Sequence, residues 1–245
     1  FFFKQKTAYE IKECDWSSDV CSSDLGSHGA YRESLVLDAD SVVRIPAGAT
    51  LVQAATLPMN GLTARRSLDQ LALRPGQTLA VTGAAGCYGG YVVQLAKADG
   101  LHVVADASPA DEALLRWLGA DIVVQRGKDT AEQIGKAVPG GVDGLADGSF
   151  QSSVATGVVR DGGSFVSVRG ITFHKTSVRD YNHRADLLDS LRAQVEAWQI
   201  TLQVAATYPA TQAAEALVCC PAERGFTPAS IPWISPARPI CSFLI

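Results

Sequence analysis

From about residue 78 the chain alternates short apolar runs with longer segments whose apolar positions recur every three or four residues. The runs with strand character fall at 78–82, 102–105, 122–124, 144–147 and 164–168. Helical spacing fills the intervals at 89–98, 110–118, 130–138 and 152–159. Strands that alternate with helices of this length need crossovers, and crossovers put helices on both faces of a parallel sheet. The expected fold is therefore α/β, a doubly wound parallel sheet of the Rossmann type.

The rhythm is weaker on either side. Residues 33–38 and 42–45 alternate like short strands, and 47–71 carries a helical pattern broken near Pro58. Downstream, 185–198 predicts an amphipathic helix with Leu187, Leu188, Leu191, Val195 and Trp198 on one face, followed by a strand at 203–206 and a helix at 211–217.

The two ends do not read as folded chain. Residues 15–25 back-translate into a string resembling a high-throughput sequencing adapter, residues 3–11 fit its other half, and 1–25 are expected to be artefact. They do not have the order of a secretory signal either, because three phenylalanines precede the charged residues. After Leu217 the periodicity stops and prolines scatter, as expected for a frameshift or an irregular tail over 218–245. Five of the six cysteines lie in these ends, which leaves Cys87 and no support for a disulfide framework.

Composition adds exclusions. The net charge is −4, from 21 Lys and Arg against 25 Asp and Glu, and the basic residues form no stripe, so nucleic acid is not an expected partner. No apolar run approaches the roughly 18 residues of a membrane span, so no membrane partner is expected and the cytoplasm is the default location.

The densest chemistry lies between the first strand and its helix, in Val81-Thr82-Gly83-Ala84-Ala85-Gly86-Cys87-Tyr88-Gly89-Gly90. Gly83 permits a sharp turn, Gly86 lets backbone approach a phosphate, and Gly89 permits close packing of helix on strand. The N–H groups at the following helix start favour an anion, so this turn is a candidate pyrophosphate site, although a tight turn without ligand would use similar residues. Asp106 follows Gly89 at close to the spacing of about 20 at which an acid meets the adenosine ribose. It favours NAD over NADP, the alternative being a solvated loop aspartate. The nearest basic residue expected there is Arg116.

Two other nucleotide-binding patterns fail on their residues. No Tyr-x-x-x-Lys follows the turn and Cys87 stands where a short-chain dehydrogenase has glycine, while a P-loop would need Gly-Lys-Ser/Thr after the turn. What residues 29–217 resemble is the medium-chain dehydrogenase/reductase superfamily, in its zinc-independent quinone-oxidoreductase-like branch. The resemblance rests on Gly29-Ala30-Tyr31, Ser34-Leu35-Val36, the run from Ala54 to Ala64, Leu73-Arg74-Pro75-Gly76, the glycine turn, Leu118-Gly119-Ala120-Asp121 and Gly140-Gly141-Val142-Asp143, in family order.

The resemblance implies a Rossmann domain over 73–170, with remnants of a GroES-like catalytic barrel at both ends, over 26–72 and in a return segment at 171–217. It places Thr63 near the nicotinamide, Gly83, Ala84, Ala85, Gly86, Cys87, Tyr88 and Gly89 at the pyrophosphate, Ser108 near the ribose, and Val168, Arg169 and Gly170 beside the nicotinamide ring. It implies NADPH where Asp106 argues for NADH, a small-molecule substrate, and a homodimer as a family expectation. The implied activity is hydride transfer to a carbonyl, enone or quinone, with no catalytic residue identifiable; the alternatives are a non-catalytic NAD(P)-binding module and an inactive gene fragment. Cys87 and Tyr88 replace the usual Gly-Val, so their side chains are expected to point away from the phosphates. Zinc is not expected, since His28, His102, His174 and His183 are isolated and no Cys-x-x-Cys occurs. Cys87 is read as a structural thiol, the alternative being an oxidation-sensitive thiolate.

Overall fold

The computed structural model describes residues 42–149, 157–168, 185–204 and 207. Five parallel strands form one sheet in the order β3-β2-β1-β4-β5. They are β1 (Thr78–Thr82), β2 (His102–Ala107), β3 (Ile122–Gln125), β4 (Val142–Asp147) and β5 (Val159–Ser167). The helices are α1 (Leu51–Ala55), α2 (Leu57–Leu71), α3 (Cys87–Ala98), α4 (Glu112–Trp117), α5 (Thr130–Ala137) and α6 (Ala185–Glu196).

Both faces of the sheet are covered, and the alternation of side chains along each strand sorts them. Leu79, Val81, Val103, Ala105, Ala146 and Val166 join the core under α2, α3 and α4. Ala80, Val104, Val124, Val142 and Leu145 face the other way, toward Ile134 of α5. Strands buried on both faces read as continuous apolar runs, which is why the pattern from 78 onward was legible.

The helical run at 47–71 divides as its residues dictate. Thr50 and Gln53 form a reciprocal capping box at the start of α1, and Thr56 separates the helices so that Pro58 falls in the first turn of α2, where its missing N–H costs nothing. Residues 42–45 form no strand, with Ile45 43% exposed and no neighbouring backbone to pair with among the described residues. Val159 opens β5 rather than closing the helix expected over 152–159, most of which lies outside the described residues. The helix expected over 185–198 ends at Glu196, and Trp198 leaves its apolar face: its φ of 60° turns the chain and its side chain is 91% exposed. Residues 203 and 204 are irregular rather than strand, while the elements expected at 33–38 and 211–217 lie outside the described residues.

Candidate dinucleotide site

Strand β1 is the point at which the sheet reverses direction, because the chain steps outward through β2 and β3 on one side and through β4 and β5 on the other. The carboxyl ends of β1 and β4 therefore open a crevice, the usual ligand position in such sheets. The glycine turn fills its floor. Gly83 leaves β1 at φ +67°, and a Cβ there would lie 2.6 Å from the Gly148 carbonyl carbon after β4. Gly86 donates its N–H to the Gly83 oxygen at 2.9 Å, and Gly148 donates to the Thr82 oxygen at 2.9 Å. Gly89, in the first turn of α3, would press a Cβ into Gly83 and Ala84 backbone.

Gly86 differs from the other two. Its backbone is extended, φ −79° and ψ 168°, and a Cβ would meet only the Gly83 oxygen, at 3.1 Å. Steric necessity inside the protein thus explains Gly83 and Gly89 more fully than Gly86, which has that one tight contact and stands at the start of a twelve-residue helix. No side chain caps that helix, and its first internal bond runs from Gly90 N–H to the Gly86 oxygen at 2.8 Å. The amides of the first turn and the partial positive charge there suit an anion such as a pyrophosphate.

Tyr88 points inward from the turn, its ring against Gly148. Burial pushes its phenol upward, opposed by the nearby Ser67 hydroxyl and aided by the Asp147 charge. Tyr91 ties α3 to the start of α2 through a 2.9 Å bond between its hydroxyl and that of Thr56; burial first, against that bond, pushes its pKa up to about 12. Cys87 is half-buried and lines a small recess with Thr56, Asn60, Tyr91, Gln94 and Thr201.

The ribose end departs from the sequence expectation. Asp106 lies within β2, is 1% exposed, and accepts from Ala84 N–H at 3.1 Å. Arg126, the residue after β3, grips it bidentately, Nε to Oδ2 at 2.8 Å and Nη2 to Oδ1 at 3.0 Å. The basic residue at this end is thus Arg126, whereas Arg116 is paired with Glu112 along α4. The chain distance of 20 residues hid this pair, but adjacent parallel strands bring their carboxyl ends together, with Ala107 opposite Gln125. Ser108 donates its hydroxyl to Asp111 at 2.6 Å.

Of the remaining candidates, Val168 donates to the Asp147 carbonyl at 3.2 Å at the crevice edge, and Thr63 lies on α2 with its hydroxyl on the Met59 carbonyl at 2.7 Å. Arg169 and Gly170 lie outside the described residues. Sequence reasoning missed Asp147, which is fully buried between three strands. It accepts from Thr82 Oγ1 at 2.7 Å, Ser167 Oγ at 3.2 Å and Ser149 N–H at 2.9 Å. Among the described residues no group of three or more His, Cys, Asp or Glu side chains comes together as a metal site would require.

Comparison with known proteins gives this architecture relatives. No protein-family model matches the chain. It is 36% identical over 146 residues to an alcohol dehydrogenase of Geobacillus stearothermophilus, an alignment covering 57% of this chain and 42% of that enzyme. The CurK enoyl reductase superposes with a TM-score of 0.63 at 26% identity, over 73% of this chain and 61% of that one. The quinone oxidoreductase of Thermus thermophilus, solved also in complex with NADPH, superposes with a TM-score of 0.60 at 25% identity, over 72% and 64%.

These matches, to an alcohol dehydrogenase, an enoyl reductase and a quinone oxidoreductase, are to enzymes of the medium-chain dehydrogenase/reductase superfamily, the one the sequence resembles. The chain spans about two fifths of the length of the curated relatives it matches. The glycine turn, the five-stranded parallel sheet and the helices around it form a Rossmann-like fold. Among the described residues no helix is long and apolar enough to cross a membrane.

Proposed function

We propose that this chain carries the cofactor-binding half of an NAD(P)H-dependent oxidoreductase of the zinc-independent quinone-reductase or enoyl-reductase type, which reduces a small carbonyl, enone or quinone. The observation that carries the reading is Gly86, at a helix start with no side-chain cap, where a Cβ would meet a single protein atom, the Gly83 oxygen at 3.1 Å, against the backbone clashes under 3.0 Å at Gly83 and Gly89. A Cβ there would fill the cradle a pyrophosphate needs. The superfamily includes alcohol dehydrogenases, enoyl reductases and a quinone oxidoreductase, all oxidoreductases, and this supports the reaction class.

When bound, a reduced nicotinamide supplies the hydride. The chain's own residues bind and orient. The amides of the first turn of α3 hold the negative charge of the bridging phosphates, and the sheet end with Val168 walls the crevice on the other side. Orientation and exclusion of water are the protein's contribution to a hydride transfer, and together they account for several kcal/mol of barrier, about 7–11 in well-oriented cases. The domain limits that fit this role are 73–170 for the dinucleotide-binding unit, with 26–72 and 171–217 belonging to the catalytic part.

The test is a fluorescence titration of the 245-residue chain with NADPH and NADH, followed by an oxidation assay with a quinone and an enone. Saturable binding of either cofactor, with turnover of an acceptor, is the expected result. Binding without turnover of any acceptor would remove the enzymatic part of the proposal, and absence of binding to both would remove the site.

A further inference from the structure

We propose that Arg126 and Asp106 are positioning residues for the glycine turn: together they fix the plane of the Gly83–Ala84 peptide, and through it the start of α3 that faces the anion. The inference rests on the dinucleotide reading above and deepens it by naming the residues that set the shape of that site.

The route is short and each step is a bond. Arg126 N–H donates to the Ala107 oxygen at 2.7 Å, which sets the residue after β3 beside the end of β2. From there its guanidinium takes both oxygens of Asp106, Nε to Oδ2 at 2.8 Å and Nη2 to Oδ1 at 3.0 Å, and reaches the Asp106 carbonyl at 3.3 Å. The carboxylate so aimed accepts from Ala84 N–H at 3.1 Å. A peptide is planar and trans, so an N–H drawn toward β2 sends the carbonyl of the same peptide, that of Gly83, to the opposite side. There it accepts from Gly86 N–H at 2.9 Å, and Gly86 in turn opens α3 by accepting from Gly90 N–H at 2.8 Å. Turning this one peptide over would release Gly86 N–H and disturb the first turn of the helix.

Two observations favour positioning over a purely structural role. Gly83 leaves β1 at φ +67°, and glycine permits more than one peptide orientation at such a junction at little steric cost, so a bond to the next amide is what selects one. The second is the nature of the bond's other end. A buried ion pair is a poor source of stability, because desolvating both charges offsets most of their attraction, and it is better suited to selecting one arrangement. Here both side chains are buried, Asp106 at 2% and Arg126 at 9% exposure. Arg126 also cancels a carboxylate charge that, left alone so close to the turn, would repel a pyrophosphate.

Hydrogen exchange of the turn amides and fluorescence titration with NADPH test this on the 245-residue chain and on two double variants. Asp106→Asn with Arg126→Gln keeps an acceptor for Ala84 N–H without the charges. Its NADPH affinity is expected to stay within about threefold of wild type, with Ala84 still protected. Asp106→Leu with Arg126→Met removes the acceptor. NADPH is then expected to bind at least about tenfold more weakly, and Ala84 to exchange at least about tenfold faster while the amides of β2 and β3 keep their protection. Loosening of Ala84, β2 and β3 together would mean a structural role and overturn the proposal. So would wild-type affinity in the apolar pair, or a loss of about tenfold in the neutral one. Where the apolar pair does not fold, the wild-type chain decides by itself: an Ala84 amide that exchanges as fast as an unprotected loop amide overturns the proposal. A wild-type chain with Ala84 protected that binds neither NADPH nor NADH overturns the dinucleotide reading, and the proposal with it.

Discussion

Gly86→Val separates binding from folding, because the proposed pyrophosphate site gives that position a ligand-side reason for glycine and the protein itself only one tight contact. The backbone there is ordinary extended chain, so valine meets no strain from φ, and its Cβ meets only the Gly83 oxygen at 3.1 Å. That contact costs on the order of 1 kcal/mol, while loss of a glycine from the unfolded chain contributes about 0.4–1 kcal/mol in the opposite direction. The two nearly cancel, and Tm is expected to stay within about 4 °C of wild type. Binding has no such compensation. Excluding the pyrophosphate from two charge-assisted N–H bonds, at about 1.5–3 kcal/mol each, predicts an affinity loss of roughly 100-fold to 10,000-fold for NADPH. Gly89→Ala is the control of opposite sign: its Cβ would lie 2.6 Å from the Ala84 Cα and 2.9 Å from the Gly83 carbonyl carbon, backbone that cannot step aside. A cost of about 3 kcal/mol lowers Tm by roughly 6–12 °C. Thermal scans and fluorescence titration of the two variants check both halves. Unchanged NADPH affinity in Gly86→Val would refute the placement of the site, and a collapse of its Tm would refute the claim that the fold tolerates a side chain there.

Other expectations follow from individual contacts. Asp147→Ala leaves the Thr82 and Ser167 hydroxyls and the Ser149 amide without their buried acceptor, and is expected to cost about 3 kcal/mol or more, read as a lower urea midpoint. Tyr91→Phe removes the 2.9 Å bond to Thr56, whose own hydroxyl still donates to the Gln53 carbonyl; with nothing left unpaired the loss is expected to be about 1 kcal/mol by the same measurement. Asp143 is held below the usual carboxylate range by the Thr78 amide first, then by Arg160 and Gln77, against the opposing effect of burial. A depressed folded-state value means that its stabilisation is full above the unfolded value of about 3.9 and is lost as the pH falls through the folded one. Urea unfolding should therefore show Asp143→Asn less stable than wild type at neutral pH, with the gap narrowing below about pH 4. A constant gap would mean that the charge on Asp143 contributes nothing.

Much of this was legible in the sequence, and what was not has physical causes. The strands expected at 78–82 and 122–124 and the helices expected at 89–98 and 130–138 fall within two residues of β1, β3, α3 and α5, because both faces of a parallel sheet are buried and apolar runs and helical stripes alternate cleanly. Trp198 matched the helical stripe by spacing alone; local backbone reversal after Glu196 took it out of the core, and periodicity carries no information about where a helix stops. The glycine turn was legible because the positive φ of Gly83 and the packing of Gly89 on Gly83 and Ala84 are local, whereas the approach of Gly148 to Gly83 was not. Asp106 was located but its surroundings were not, since its partner is 20 residues away and becomes a neighbour only once β2 and β3 are known to lie side by side. Asp147 was read as the last residue of the strand at 144–147, and nothing in the sequence showed its buried partners, which appear only when Thr82, Ser149 and Ser167 converge on it.

These two aspartates give the turn its shape from opposite sides. On the β2 side, Asp106 holds the Ala84 amide, and Arg126 holds Asp106. On the β4 side, Asp147 holds the Thr82 hydroxyl while the next residue, Gly148, donates to the Thr82 carbonyl and packs against Gly83. The Gly83 turn is thereby fixed between β2 and β4, through bonds that involve neither Gly86 nor the start of α3. A loop so held presents its remaining amides in one arrangement whether or not an anion is there, and little ordering entropy is left to oppose binding. It follows that the two carboxylates differ in consequence although both are buried and both bond the same turn. Loss of Asp147 loosens the junction of three strands and is felt first in stability. Loss of the Arg126–Asp106 pair removes the acceptor that holds the Ala84 amide and is felt first in the order of the turn itself.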